Sequence, residues 1–443
     1  MAIYEVTDVA LRPERTERLL GFNIDAPHAG TKHNVYTLHL IGWVVARDAQ
    51  AISLEVYNRG ELIRSVPVRG PRTDVAGAIG VSPETDCVFH ALVGLIGLQL
   101  DATLELLVTL SDGSSVAVGS VQINRKPLQP DYDPRLDPIV VSTLGRSGST
   151  WLMQLLASHP EIVVFRHFPY ESSAAKYWVH MLRVAGEPVN IVQSGGPKTS
   201  HTNIWWLGNN PHHNDRAYEH HWLADWFGRE HLEQLAAFCQ RTIDEWYLTL
   251  AKANVQLGAT FFAEKHVRPN YQPTLIHELY PRAKEIFLVR DFRDMARSII
   301  TFDSKRGFAG FDRPNGVGDE DYVRGELRQM AEELAQSWEA RAHKAHLVRY
   351  EDLVYEPTET VAGMLHYLGV DASETAVQTV LAKGAEQVLD LPASVYSLTE
   401  IQEHRTIADP KDTIGRWRRD GDEAFQALAQ ESFGQALTAF GYS

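Results

Sequence analysis

The sequence predicts an α/β chain: a parallel sheet flanked by helices, with a phosphate-binding loop, preceded by a small all-β sandwich. Three observations predict it. Apolar strands alternate with amphipathic helices from about residue 136 onward, the pattern of a mostly parallel sheet. Short strands with hairpin signals fill the first 125 residues. Between them, Thr143-Leu-Gly-Arg-Ser-Gly-Ser-Thr-Trp151 follows the apolar run Pro138–Val141 directly, so a buried strand enters a glycine-containing loop that opens a helix.

In chain order, the expected strands of the first region are Tyr36–Val45, Ile52–Tyr57, Thr103–Leu110 and Ser115–Ile123. They are rich in β-branched residues, and Asn58-Arg-Gly60 and Ser111-Asp-Gly113 between them read as hairpin turns. Strands at this spacing suggest a sandwich over residues 1–125. Lys126–Pro134 holds three prolines and reads as an extended linker over 126–135. The remaining domain, 136–443, has strand candidates Ile139–Ser142, Ile162–Phe165, Phe261–Glu264, Glu285–Val289 and Ala345–Arg349. Sheets of this kind bind ligands at the carboxyl ends of their strands.

The loop at 143–151 turns backbone N–H groups toward one point at a helix N-terminus, which suits a phosphate. It departs from the triphosphatase loop, which needs two glycines five positions apart followed by Lys and Ser or Thr. Here Gly145 and Gly148 are three apart with Arg146 between them, so the phosphates of ATP are not the expected ligand. A second anchor is Glu285–Ser298, where a strand ends at Arg290 and a helix carries Ser298 eight residues later. Slightly over two helical turns separate the two, so they can flank one anion, Arg with its planar fork and Ser with a hydroxyl. An ion pair of Arg290 with Asp291 or Asp294 is the alternative. A third anchor, Lys411–Arg419, holds four cations and a tryptophan in nine residues. It reads either as a loop closing over a polyanion or as a solvated basic turn.

Together and in this order, the three anchors resemble the sulfotransferases that use 3′-phosphoadenosine 5′-phosphosulfate (PAPS). Val348-Arg-Tyr-Glu-Asp-Leu-Val354 and the Glu264-Lys265 step are similar to segments of the same family. The resemblance spans 136 to about 420 and excludes the N-terminal domain. It implies that Gly145, Arg146, Ser147, Gly148, Ser149, Thr150 and Trp151 cradle the 5′-phosphosulfate, and that Arg290 and Ser298 hold the 3′-phosphate. It implies adenine contacts from Trp151 and Tyr350, and a nucleotide cover made of Lys411, Arg416 and Trp417. The product would be adenosine 3′,5′-bisphosphate, with no metal required. Many cytosolic members carry Lys where this chain has Arg146, which places it nearer the bacterial and glycan-type members. An arginine there is always charged and can stabilise a bridging oxygen without donating its proton.

In-line transfer to a hydroxyl needs a general base within hydrogen-bond reach. Glu171, in Phe165–Glu171 after the second strand, is the first candidate by resemblance to glycan and protein-tyrosine members. His167 is the second, and Lys265 would neutralise the transferring or leaving group, with His266 a weaker acceptor-side candidate. Helix capping by Glu171 and a salt bridge of Lys265 are the structural alternatives. The stretch from Ser172 to Gln256 holds Trp178, Trp205, Trp206, Trp222, Trp226 and Trp246, with His201, His212, His213, His220 and His221. Aromatic faces with polar edges suit a glycan or small-molecule acceptor and suit a helical core equally well. His212-His213 and His220-His221 match no metal-site spacing. Loop 303–320, with Gly307, Gly310, Gly316 and Gly318, reads as a lid or as an ordinary loop.

Composition sets outer bounds. A formal charge of −15 over 443 residues disfavours a nucleic-acid or anionic-membrane surface, so an anion site must be a local pocket. Two cysteines, Cys87 and Cys239, make no disulfide framework. The opening residues lack signal-peptide character and no apolar run approaches membrane length, so a cytoplasmic protein is expected. Oligomeric state is not legible. The rival functions are a P-loop nucleotide phosphotransferase, disfavoured by the missing Gly-Lys-Ser/Thr end, and a glycan-binding protein with an inert transferase domain, disfavoured by the intact Arg146, Arg290 and Ser298.

Overall fold

The structure, a computed structural model, describes residues 2–12, 17–167, 170–188, 225–267, 271–385 and 409–443. By their contacts they divide into two compact units: residues 1–132 with 178–240, and residues 133–177 with 241–443. The division expected from sequence, at 125 and 136, differs in that the first unit also takes in 178–240.

In the first unit, nine strands form two antiparallel sheets: β1 (Tyr4–Leu11), β2 (Leu19–Ala26), β3 (Lys32–His33), β4 (Thr37–Ala46), β5 (Ala51–Asn58), β6 (Glu61–Pro67), β7 (Val88–Gly94), β8 (Asp101–Leu110) and β9 (Ser115–Arg125). One sheet runs β3-β1-β9-β8-β5-β6 and the other β2-β4-β7. Along β8, Ala102, Leu104, Leu106, Val108 and Leu110 are buried and the residues between them are more exposed, the period-2 signature of a half-buried strand. Both sheets feed one core, which joins Val6, Leu54, Leu104 and Val121 from the first to Phe22, Leu40 and Phe89 from the second. Cys87 and Cys239 are buried free thiols.

The second unit carries a five-stranded sheet in the order β11-β12-β10-β13-β14. Its strands are β10 (Asp137–Thr143), β11 (Ile162–Val163), β12 (Phe261–Val267), β13 (Lys284–Val289) and β14 (His346–Arg349), and every pairing is parallel. Alternate residues of one strand serve opposite faces. Ile286 and Leu288 pack with the helices Ser149–Ala157 and Pro357–Leu368, while Phe287 and Val289 pack with Phe292–Arg306, Arg328–Arg341 and Glu423–Ala439. Helices therefore cover both sides, as a parallel sheet requires. β10 is central, and the chain places β12 on one side of it and β13 on the other. That arrangement opens a crevice at the strands' carboxyl ends.

Below that crevice lies a buried polar cluster. Glu285 accepts from Ser142 Oγ at 2.5 Å and from Arg341 Nε at 2.8 Å, with His277 Nε2 at 3.5 Å. Burial alone would raise the Glu285 pKa, but His277, Arg341 and Ser142 together bring it down to about 2. A depressed carboxylate stabilises the fold above its unfolded pKa, and that contribution is lost as pH falls through the folded one. Glu285→Gln is therefore expected to cost about 3 kcal/mol at pH 7, because it leaves the Arg341 charge unanswered. The variant should also lose stability less steeply than the wild type between about pH 4.5 and 2. Urea unfolding across that range checks both. No described helix is long and apolar enough to cross a membrane.

Candidate active site

β10 ends at Thr143, and the helix Ser149–Ala157 begins after Gly148. Two close approaches explain the glycines between them. A side chain at Gly145 would run into the ring of Phe311, and one at Gly148, whose φ is +86°, into the ring of Tyr350. Arg146 also adopts a left-handed φ of +65°, uncommon for a residue with a Cβ. The loop is thus wound tightly into the helix start, and it holds Ser147 at 1% exposure with its Oγ unpartnered.

Arg290 stands just past the end of β13, beside this loop, and is buried. Its Nη1 donates to the Arg146 carbonyl at 3.2 Å, and its Nη2 donates to the Thr413 carbonyl at 2.5 Å. The guanidinium lies 4.9 Å from the centre of the Tyr350 ring, and its buried Nε has no partner. Ser298, also buried, accepts from Arg146 Nε at 3.3 Å, while the Arg146 guanidinium sits 4.6 Å over Phe302. Arg290 and Ser298 are therefore brought together through Arg146. Asp291, the expected alternative partner of Arg290, caps the helix Phe292–Arg306 and pairs with Arg293 instead, Oδ2 to Nη2 at 2.8 Å. Trp151 meets Tyr350 edge-on at 6.4 Å, and the Tyr350 hydroxyl lies 3.2 Å from Thr413 Oγ1.

The late basic segment packs against the same ground. Arg416 and Trp417 are buried, whereas Lys411 is exposed in the turn Pro410–Thr413. Arg416 Nε donates to Asp420 at 2.8 Å, and its Nη1 is buried without a partner. Arg293 lies 4.1 Å over the Trp417 ring. Asp294, which sequence reasoning considered only as a partner for Arg290, accepts from the Gly415 and Trp417 amides at 2.7 and 2.9 Å.

The other side of the crevice is built by β12, which runs to Val267 rather than ending at Glu264. Lys265 is buried, with its Nζ 2.5 Å from Glu171 Oε1; the Glu171 side chain is 45% exposed. Glu264 points the other way. It accepts from the Tyr247 hydroxyl and from the Ala175 and Lys176 amides at 2.7 and 3.1 Å, capping the helix Ala174–Ala185. His266 Nε2 approaches it at 3.4 Å. Burial pushes the Glu264 pKa up, but His266, Tyr247 and the Ala175 amide outweigh that and leave it below the usual carboxylate range. The His266 Nδ1 is buried and unpartnered. His167 is exposed, with its ring edge-on to Phe165 at 5.0 Å. Trp246 Nε1 donates to Ser172 Oγ at 2.8 Å, next to Glu171.

In the region 303–320 the helix runs on to Arg306, and Asp319 starts the next one. Between them, Phe311 lies against Gly145, and its carbonyl accepts from the Tyr322 hydroxyl at 2.5 Å. Trp205, Trp206, Trp222, His201, His212, His213, His220 and His221 lie outside the described residues.

Buried donors without partners are costly. Here Ser147 Oγ, Arg290 Nε and Arg416 Nη1 belong to the loop and the two basic anchors, so the donor set fits a phosphorylated nucleotide. A parallel sheet flanked by helices, with a tightly wound glycine-bearing loop between its central strand and the helix that follows, is the architecture of a P-loop-type domain. The chain belongs to the sulfotransferase family, whose sequence pattern matches residues 138–374. No curated protein matches the chain. Among solved structures it is similar to the sulfotransferase domain of the Synechococcus PCC 7002 olefin synthase. That likeness has 19% identity and a TM-score of 0.40, and covers 72% of this chain and 99% of that one. It is also similar to the sulfotransferase domain from the curacin biosynthetic pathway, at 14% identity and TM-score 0.37, covering 70% and 99%. A third is a mouse sulfotransferase solved with PAP, at 12% identity and TM-score 0.35, covering 69% and 86%.

Proposed function

We propose that the chain moves a sulfuryl group from PAPS, in line, to a hydroxyl of a glycan, a glycosylated compound or another small metabolite. The observation that carries this reading is the set of buried, unpartnered donors, Ser147 Oγ, Arg290 Nε and Arg416 Nη1, around a loop too tightly wound for side chains at Gly145 and Gly148. PAPS supplies the sulfuryl group and departs as adenosine 3′,5′-bisphosphate.

The chain's own residues divide the remaining work. The 145–150 loop offers amides and the hydroxyls of Ser147, Ser149 and Thr150 to the 5′ end. Arg290 and Ser298 face the 3′-phosphate. Tyr350 and Trp151 border the adenine, and Arg416 and Trp417, with Lys411, cover the nucleotide. Glu171 takes the proton of the acceptor hydroxyl at its carboxylate oxygen. Lys265, 2.5 Å from that carboxylate, orients it and brings positive charge to the transferring group. Arg146 adds a permanent charge at the loop. Residues 1–125 serve as an accessory β-domain, 126–135 as a linker and 136–443 as the transferase domain.

Calorimetry with adenosine 3′,5′-bisphosphate in the absence of magnesium tests the donor assignment. Binding is expected to be about tenfold or more tighter than that of adenosine 5′-monophosphate, the worth of one charge-assisted contact set. Preference for ATP with magnesium would overturn it.

A further inference from the structure

We infer that Asp294 is the positioning residue that docks the 409–417 segment onto the nucleotide site before any nucleotide arrives. This rests on the reading that Arg416 and Trp417 belong to the donor site. Asp294 lies in the first turn of the helix Phe292–Arg306, where a carboxylate is favoured by the helix dipole. It does not cap its own helix; Asp291 does that, accepting from the Arg293 amide at 2.9 Å. Instead Asp294, 1% exposed, gives one oxygen to the Gly415 amide at 2.7 Å and the other to the Trp417 amide at 2.9 Å. Both amides belong to the turn that opens the short helix Arg416–Arg419, and Gly415 holds a φ of +73° there. Two amides converging on one buried carboxylate set the position and the angle of that turn.

Three other contacts run the same way. Arg293 stacks on Trp417 at 4.1 Å, Arg290 Nη2 reaches the Thr413 carbonyl at 2.5 Å, and the Tyr350 hydroxyl lies 3.2 Å from Thr413 Oγ1. Of these partners only Asp294 brings a carboxylate, and it spends both oxygens on backbone amides of the segment, leaving Arg290 Nε and Arg416 Nη1 unpartnered. The docked turn in turn brings Arg416 inside, where its Nη1 is buried and unpartnered. Ordering this segment without help from the nucleotide removes a cost that binding would otherwise bear.

Asp294→Asn keeps the shape but can accept from only one of the two amides, and Asp294→Ala accepts from neither. The dissociation constant for adenosine 3′,5′-bisphosphate is expected to rise about tenfold in the first and further in the second. The donor KM should follow it, while kcat at saturating donor and the acceptor KM stay within about threefold of wild type. Hydrogen exchange on the wild-type protein without nucleotide supplies a second measurement that needs no variant. The Gly415 and Trp417 amides are expected to be protected at least tenfold more than the amide of exposed Asp422. Exchange of all three at one fast rate, or an Asp294→Asn protein with unchanged nucleotide affinity, would overturn the inference. If neither wild type nor variant binds adenosine 3′,5′-bisphosphate while the two amides remain protected, the donor assignment fails and the docking stands.

Discussion

Arg290→Ala is expected to weaken binding of adenosine 3′,5′-bisphosphate by about a hundredfold or more. The native guanidinium joins two segments that are remote in sequence, donating to the Arg146 carbonyl and to the Thr413 carbonyl while stacking on Tyr350. Each charge-assisted hydrogen bond is worth about 1.5–3 kcal/mol, and losing two of them leaves part-buried carbonyls unanswered. The proposed contact with the 3′-phosphate would be lost as well. Arg290→Lys is expected to recover little, because an ammonium is a point charge and cannot span both carbonyls in the plane of the fork. Calorimetry on the two variants, alongside a thermal unfolding curve for each, separates lost binding from lost fold. An Arg290→Ala protein that bound nucleotide within threefold of wild type would remove Arg290 from the donor site.

The second large effect concerns proton transfer. Glu171→Gln is expected to lower kcat by about 10²–10⁴, the usual worth of a positioned general base, with the affinity for adenosine 3′,5′-bisphosphate within about threefold of wild type. His167→Ala should retain most of the rate, since His167 is exposed and its ring rests on Phe165. Single-turnover assays with labelled donor across an acceptor panel measure both. Full rate in Glu171→Gln together with loss in His167→Ala would exchange the two roles. The pairing with Lys265 makes the nucleotide measurement necessary, because the glutamine leaves a buried ammonium without its carboxylate and could disturb the site as a whole.

The parallel sheet was legible because β10, β11 and β13 carry apolar runs between helices or polar turns, while β12 opens on Phe261-Phe-Ala263 before turning polar. Only the strand limits moved: β11 stops at Val163, and β12 continues to Val267. The sandwich was legible in part. β6 hides a strand because Arg64 is buried within it, its Nε donating to the Leu92 carbonyl at 2.7 Å, and a charge in the apolar rhythm masks the period. β2 carries Gly21, which a strand pattern disfavours but which the ring of Trp43 requires, 2.9 Å from where a Cβ would stand. In the site, the basic and glycine-bearing segments announce themselves by composition. Asp294 and Phe311 do not, because their work is done through backbone amides and a close ring contact that no local spacing encodes. Asp294 sits four residues after Arg290, and a first-turn acid is what any helix start would carry.

β12 has a consequence beyond its individual residues. Phe262, Glu264 and His266 share one side of the strand: Phe262 stacks on Tyr247 at 4.1 Å, Tyr247 donates to Glu264, and His266 approaches Glu264. Ala263 and Lys265 share the other, where Ala263 joins the core of Leu152 and Ile286 and Lys265 meets Glu171. Odd and even positions thus carry two separate instructions, one for the Glu264 cap and one for the Lys265–Glu171 pair, interleaved on a single heptapeptide. Substitutions can alter either instruction alone. A one-residue insertion or deletion would exchange them wholesale, turning the cap toward the crevice and the ammonium toward the cap. The register of β12 therefore matters to the site as much as the identity of its residues.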